Sequence, residues 1–359
     1  MRIAGYEMRA VGEPLVLASR EVEAPERGEV VVEIAGCGVC HTDLGFLYDG
    51  VPTRHPLPLV LGHEVAGVVV DEERTTSALL GRQVIVPAVI PCGECDLCRR
   101  GRGDICPKQK FIGCDSHGGF ASHVVVPGRG VCVVPAGRFD KKSLASLSVV
   151  ADAVSTAYQA VRRSGLSKGG FAVFVGVGGV GGFGVQIARS LGARVLAIDV
   201  DPEKLAALSR HGAEWTLDAR GLSTKDVRKK ARAIADAASL PAAEWRIFET
   251  SGTKAGQECA FSLLTHGAVL SVVGYHPGDV TLRLSNLMAF AARAEGTWGC
   301  TPELFPEALS LVLDGRVAVE PFVEFHPMSE INTVLEKLRR HELARRAVLI
   351  PDFDAESDS

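Results

Sequence analysis

The chain has 359 residues, 47% of them hydrophobic and 23% charged, with a formal net charge of -4; that suffices for a large core and is long for a single one, so two domains are expected. The small negative charge, with both signs interspersed, offers no basic face to a phosphate backbone and argues against nucleic acid as a partner. Residues 1–22 carry Arg2, Glu7, Arg9 and Glu13 where an export signal needs an apolar core, and no run approaches the roughly 18 apolar residues of a spanning helix, so a cytoplasmic chain is expected, its ten cysteines serving metal or catalysis rather than disulfides.

The first 135 residues read as β-rich, with short β-branched runs at 30–34, 65–70, 84–86 and 124–126 and a polar connection at 71–81. Directly after the first run come Cys37, Cys40, His41, Thr42 and Asp43, and about twenty residues later Gly62, His63 and Glu64 follow another apolar run. A thiolate and an imidazole brought together from two strand ends suit Zn²⁺, although one pair does not fix the metal. Cys92, Cys95, Cys98 and Cys106 form a Cys-x2-Cys-x2-Cys-x7-Cys cluster in a Gly-rich loop. Four thiolates can close around one tetrahedral ion, the pattern of a structural zinc; an iron-sulfur cluster is the other reading. Arg99, Arg100 and Arg102 would offset the thiolate charge or form a solvated face.

Beyond Pro135 the pattern changes to helix-strand alternation. An apolar run at 144–161 carries Asp152 in its middle, either a helix cap or a buried functional acid. A continuous strand pattern at 171–175 leads into Gly176-Val177-Gly178-Gly179-Val180-Gly181, then a helix pattern at 183–191 and a second strand ending at Asp199. Strand, G-x-G-x-x-G, helix and an acid about 20 residues on make the dinucleotide fingerprint. Its glycines admit a pyrophosphate to the helix N-terminus. Asp199 should accept the ribose hydroxyls and repel a 2′-phosphate, favouring NAD over NADP. Val180 and Lys204 are counted with these cofactor-binding residues. Further units at 215–218, 224–238, 246–249, 256–264 and 268–274 build a parallel sheet covered on both faces. Helices at 305–313 and 331–340, a strand at 347–350 and a loose acidic tail at 352–359 complete the chain.

In this order, Gly-Val-Cys-His-Thr-Asp, Gly-His-Glu, the four clustered cysteines, His-Gly-Gly-Phe-Ala at 117–121 and the dinucleotide fingerprint resemble the zinc-dependent medium-chain alcohol dehydrogenases over nearly the whole chain. The resemblance implies an α/β architecture: a GroES-like β-rich catalytic domain (1–155 and 297–359, with a structural zinc lobe at 91–107) interrupted by a doubly wound Rossmann NAD-binding domain with a parallel sheet (156–296). The active site would lie in the cleft. It further implies a catalytic zinc on Cys40, His63 and Asp152, where many members carry cysteine at the third position, with Glu64 beside the metal and able to replace a water. Thr42 would be the first proton relay, Asp43 the orienting partner of His63, and His41 and Arg346 pyrophosphate contacts. Where animal members complete the relay with a histidine, this chain has Gly45. The open zinc position would acidify an alcohol whose hydride passes to NAD. Within the family, the stretches 36–46, 86–98, 148–161, 283–290 and 296–300 are similar to dehydrogenases of a cyclic alcohol carried on CoA in anaerobic aromatic degradation. An acyl-CoA thioester is then the expected substrate, with simple free alcohols or polyols as the alternative, and the chain would be a dimer or tetramer. Arg54, Arg283 and Arg293 could serve CoA phosphates or be ordinary surface charges. A zinc-ribbon nucleic-acid module and a catalytically idle relative are the other readings; the charge balance opposes the first, and the intact Cys40, Thr42, His63 and Asp199 oppose the second.

Overall fold

The computed structural model describes residues 1–72, 78–135 and 139–353. Part of the connection expected at 71–81, and the acidic tail from 354 onward, lie outside the described residues. The chain divides into two units, one made of 1–152, 299–306 and 319–359, the other of 153–298 and 307–318.

The first unit is built from short strands: β1 (Arg2–Met8), β2 (Val16–Glu21), β3 (Glu29–Gly38), β4 (Leu59–Val60), β5 (Glu64–Glu72), β6 (Gln83–Val86), β7 (Val89–Ile90), β8 (Lys110–Phe111), β9 (His123–Pro127) and β10 (Cys132–Val133). Short helices α1 (His41–Leu47), α2 (Asp96–Arg99) and α3 (Lys141–Ser146) punctuate them. The longest strand, β3, buries both faces beyond Glu33, with β5 and β9 as hydrogen-bonded neighbours and α3 packed on one side. That packing needs Gly36, because a Cβ there would lie 2.6 Å from the Ala145 Cβ. The unit's core is mainly aliphatic, with Val30, Val32, Ile34, Leu47 and Val65 fully buried and Phe120 among them.

The second unit opens with α4 (Ala153–Arg163) and continues through β11 (Phe171–Val175), α5 (Gly179–Ser190), β12 (Arg194–Asp199), α6 (Pro202–Ser209), β13 (Trp215–Asp218), α7 (Thr224–Ala237), β14 (Arg246–Glu249), α8 (Lys254–Ser262), β15 (Val269–Val272), α9 (Ser285–Ala289) and β16 (Arg293–Gly296). All six strands pair in parallel, in the order β13-β12-β11-β14-β15-β16. β11 lies inside that order and is buried at every residue, as its unbroken Phe-Ala-Val-Phe-Val run requires. α7 shows the opposite pattern. It buries Val227, Ala231 and Ala235 at four-residue spacing, turns its charges outward, and is capped by Ser223, whose hydroxyl accepts from the Asp226 N–H.

α10 (Phe305–Leu313) follows, then α11 (Ile331–Arg339), and strands β17 (Val323–Pro327) and β18 (Arg346–Ile350) return to the first unit, giving the order β10-β6-β5-β3-β18-β17. Most of α10 groups with the second unit rather than the GroES-like domain to which 297–359 was assigned from sequence. The cause is specific pairing within that unit: the Tyr158 hydroxyl donates to Glu307, Gln186 exchanges two hydrogen bonds with Ala318, and Arg316 donates to the Ser190 carbonyl.

The run at 144–161 is not one helix. α3 passes into a 3₁₀ turn at Leu147–Ala151, Asp152 breaks the helical dihedrals (φ -139, ψ -66), and α4 starts afresh. Contrary to the expectation that no run was long and apolar enough, Lys141–Arg163 meets the length and composition of a membrane span, but 94% of its apolar window is buried inside the fold.

Candidate active site and cofactor turn

Cys40 ends the chain segment leaving β3, and the helix α1 begins at the next residue. The Asp43 carboxylate closes that corner, accepting from the Cys40 N–H at 2.9 Å and the Gly62 N–H at 3.2 Å. The same carboxylate faces His63 Nδ1 at 3.3 Å, so one buried acid fixes both the thiol and the imidazole. His63 Nε2 faces Asp152 Oδ2 at 3.6 Å, and the Cys40 sulfur is 3.9 Å from that same oxygen. Cys40, His63 and Asp152 offer ligand atoms all within 4.8 Å of one another.

These residues fit a zinc ion. His63 is 1% exposed, and neither ring nitrogen makes a hydrogen bond among the described residues, leaving Nε2 as a buried donor atom aimed at a thiol and a carboxylate. A sulfur, nitrogen and oxygen set of this kind is one Zn²⁺ accepts, with room for a fourth ligand. Burial pulls the His63 imidazole down, but Asp43, with Asp152 and Cys40, holds it well above its ordinary value.

Thr42 Oγ1 is 3.6 Å from the Cys40 sulfur, beside the donor set. Glu64 is not among the ligand atoms that lie within 4.8 Å of one another. Its carboxylate is fully buried and held by both Nε and Nη2 of Arg346 at 2.7 Å, with the Arg346 side chain 7% exposed. Burial pushes Glu64 up and the guanidinium pulls it back, while Arg346 is held firmly charged. Arg346 thus commits two nitrogens to Glu64, beyond the pyrophosphate contact expected of it. Gly38 makes this possible, because a Cβ there would lie 2.0 Å from Glu64 Oε2. The sequence did not reveal the pairing, since the partners are 282 residues apart; the available signal was an acid and a base each at the start of a buried strand. His41 is exposed and stacks on His341, ring centroids 5.9 Å apart.

Cys92, Cys95, Cys98 and Cys106 bring all their sulfurs within 4.8 Å of one another, with four of the pairs 3.4–3.9 Å apart. A tetrahedron with Zn–S bonds of about 2.3 Å has edges of about 3.8 Å, so the lobe is already shaped for one ion. Without a metal the backbone N–H of Glu94 draws Cys92 down to about 6, whereas burial pushes Cys98 up to about 12. The arginines expected to offset the thiolates serve other partners instead. Arg99 donates to the Glu94 carbonyl, Arg100 pairs with Asp96, and Arg102 holds Asp104 through two nitrogens.

In the second unit the three motif glycines have separate jobs. Gly176 takes φ +83 and would drive a Cβ to 2.5 Å from Ser251; Gly181 would place one 2.1 Å from the Gly176 carbonyl oxygen; Gly178 has nothing within 4 Å. The outer two are demanded by the protein's own packing, and the middle one leaves open space at the start of α5, the place where the sequence motif leads us to expect a pyrophosphate. α5 starts at Gly179, so Val180 lies in its first turn, four residues earlier than the helix pattern suggested. Asp199 ends β12, its Oδ2 accepting from the Val177 N–H at 2.6 Å and its Oδ1 from the N–H groups of Val200 and Asp201. Lys204 lies in α6, its Nζ 3.5 Å from the capping Asp201.

Residues 26–136 match the alcohol dehydrogenase GroES-like domain family, and residues 179–314 match the zinc-binding dehydrogenase family. An alcohol dehydrogenase of Geobacillus stearothermophilus is 31% identical over 93% of this chain and 95% of its own length. An NAD-dependent alcohol dehydrogenase of Sulfolobus acidocaldarius is 28% identical over 94% and 96% respectively. The crystal structure of the alcohol dehydrogenase of Aeropyrum pernix superposes with a TM-score of 0.86 at 32% identity, covering 97% of this chain and all of that one. With its GroES-like unit, its parallel Rossmann sheet and these relatives along nearly its full length, the chain belongs to the zinc-binding alcohol dehydrogenase family.

Proposed function

We propose that the protein oxidises a secondary alcohol with NAD, using a zinc ion held by Cys40, His63 and Asp152. The observation that carries this is the buried sulfur-nitrogen-oxygen triad, all within 4.8 Å, whose imidazole nitrogen makes no hydrogen bond among the described residues. A zinc ion there would supply Lewis acidity to the alcohol oxygen, and NAD would be the hydride acceptor. The chain's own residues do the rest. Thr42, beside the Cys40 sulfur, takes the alcohol proton; Asp43 keeps His63 in register; and Asp199, a carboxylate fixed by three backbone N–H groups, binds ribose hydroxyls and rejects a 2′-phosphate. Gly45 has no group to pass the proton on, so the outward path from Thr42 does not run through that position. A second ion in the cysteine lobe is structural, because all four donors are used in closing it.

The substrate reading that rests on sequence resemblance is 6-hydroxycyclohex-1-ene-1-carbonyl-CoA, oxidised to its 6-oxo thioester. The relatives named above as alcohol dehydrogenases favour a second reading, free alcohols. Steady-state reduction of NAD and NADP with cyclic hydroxyacyl-CoA thioesters and free alcohols separates the two. Turnover with free alcohols alone removes the CoA reading, and equal use of NADP removes the role given to Asp199. Cys40→Ser should abolish turnover and release the ion of this site while NADH binding and the lobe's ion persist; an active variant overturns the proposal.

A further inference from the structure

Glu249 is a buried acid that the proposed reaction does not use. It ends β14, next to the strand that leads into the glycine turn, and is 0% exposed. Its Oε1 accepts three hydrogen bonds, from the Ser251 N–H at 2.9 Å, the Ser251 hydroxyl at 2.5 Å and the Gly252 N–H at 3.2 Å. Its Oε2 is buried with no partner among the described residues. The carboxyl thus folds the loop that follows back over its own strand end.

That loop bears on the glycine turn at two points. Ser251 occupies the space a side chain at Gly176 would need, 2.5 Å from the ideal Cβ. Thr250 bears on the turn as well, its hydroxyl donating to the Gly176 carbonyl at 2.5 Å and its N–H to the Val175 carbonyl at 2.9 Å. Three glycines leave room for the carboxyl and its loop. A Cβ at Gly256 would lie 1.9 Å from the Ser251 hydroxyl oxygen, one at Gly274 would lie 2.8 Å from Glu249 Oε2, and Gly252 takes φ +62 with its amide 2.2 Å from that Gly274 Cβ. Mere filling of a core would need none of this.

We propose that Glu249 is a positioning residue for the dinucleotide: through Ser251 and Gly252 it holds the Thr250–Thr253 loop against Gly176 and so sets the shape of the turn that receives the cofactor. This rests on the reading of the glycine turn as the NAD site. The side chain need not touch the dinucleotide. What it supplies is a fixed wall, and the loss appears in cofactor affinity rather than in the chemical step.

Three substitutions in the zinc-loaded full chain test it. Glu249→Gln keeps an acceptor oxygen for all three donors and should bind NADH within about threefold of the parent. Glu249→Asp draws the acceptor back by one methylene, and Glu249→Ala removes it. Each should raise the Kd for NADH and the KM for NAD by about tenfold, the worth of one or two net hydrogen bonds. The kcat at saturating NAD and the zinc content should be unchanged. A purely structural role would instead lower the unfolding temperature and the active fraction of all variants with KM unmoved, and that outcome overturns the proposal, as does an Asp variant that binds NADH like the parent. Should Ala fail to fold, the Asp and Gln pair still decides. A parent protein that binds no NADH overturns the cofactor reading itself, which is a separate failure.

Discussion

Arg346 takes the place of water for Glu64, and the consequences of removing it differ from those of removing both. Arg346→Ala would strand a fully buried carboxylate, which costs about 3–5 kcal/mol. A double Glu64→Leu, Arg346→Met chain should recover most of that loss in urea unfolding, since apolar groups of similar size need no partner. His117 is a case where pH does the work of a mutation. Its Nδ1 accepts the Val60 N–H at 3.2 Å and its ring lies tilted against that of His55, centroids 4.7 Å apart. Burial first, then the charges of Arg20 and His55, lower its pKa to about 4. The folded chain therefore resists a proton that the unfolded chain accepts, so stability is lost as pH falls from about 6.5 towards 4. His117→Gln should flatten that part of the pH-stability curve in thermal unfolding; an unchanged slope counts against it. At this scale the sequence was informative where chemistry is local. Cys40, Thr42 and Asp43 sit in consecutive text, and His63 follows a recognisable strand. It was silent on Glu64 with Arg346 and on Glu249, whose partners are either remote in sequence or backbone groups that no residue type announces.

Among elements, the glycine turn gives the sharpest contrast. Gly181→Ala forces a Cβ to 2.1 Å from the Gly176 carbonyl and should lower the unfolding temperature and NADH affinity together. Gly178→Ala meets nothing within 4 Å, so the fold should stand while NADH binding weakens by an order of magnitude, about 1.4 kcal/mol. Fluorescence titration with NADH alongside calorimetry checks both, and equal behaviour of the two variants would refute the division of labour. β11, β12 and the capped α7 were legible because buried parallel strands read as apolar runs and a surface helix repeats every three to four residues. α1 was not, because its seven residues start on the metal-binding motif itself and carry no length of pattern. β2 escaped notice for a related reason: it is mostly exposed, so its sequence lacks the apolar alternation that marks a strand.

At the scale of the whole molecule, the two-part organisation was readable from the change of pattern near Pro135; its main boundaries, read at 155 and 296, stand against divisions after 152 and 298, and the larger difference is the segment 307–318. The division falls after Asp152, a proposed zinc ligand, and α10 groups mainly with the Rossmann unit through side-chain pairings that composition does not disclose. β18 lies between β3 and β17 in the first unit's sheet, so a chain ending at Arg345 would lose an interior strand as well as the partner of Glu64. Such a chain should lose the zinc at Cys40 and His63 yet keep NADH binding, because the second unit ends at 318; metal analysis and a binding titration decide it. The spacing of that ion pair also sets a timetable for synthesis. Glu64 leaves the ribosome 282 residues ahead of Arg346, a delay of about 15–55 s at 5–20 residues per second. The Rossmann sheet can assemble during that wait, but the nascent first unit must keep the Glu64 carboxylate hydrated, and the place of β18 beside β3 unfilled, until Arg346 has been translated.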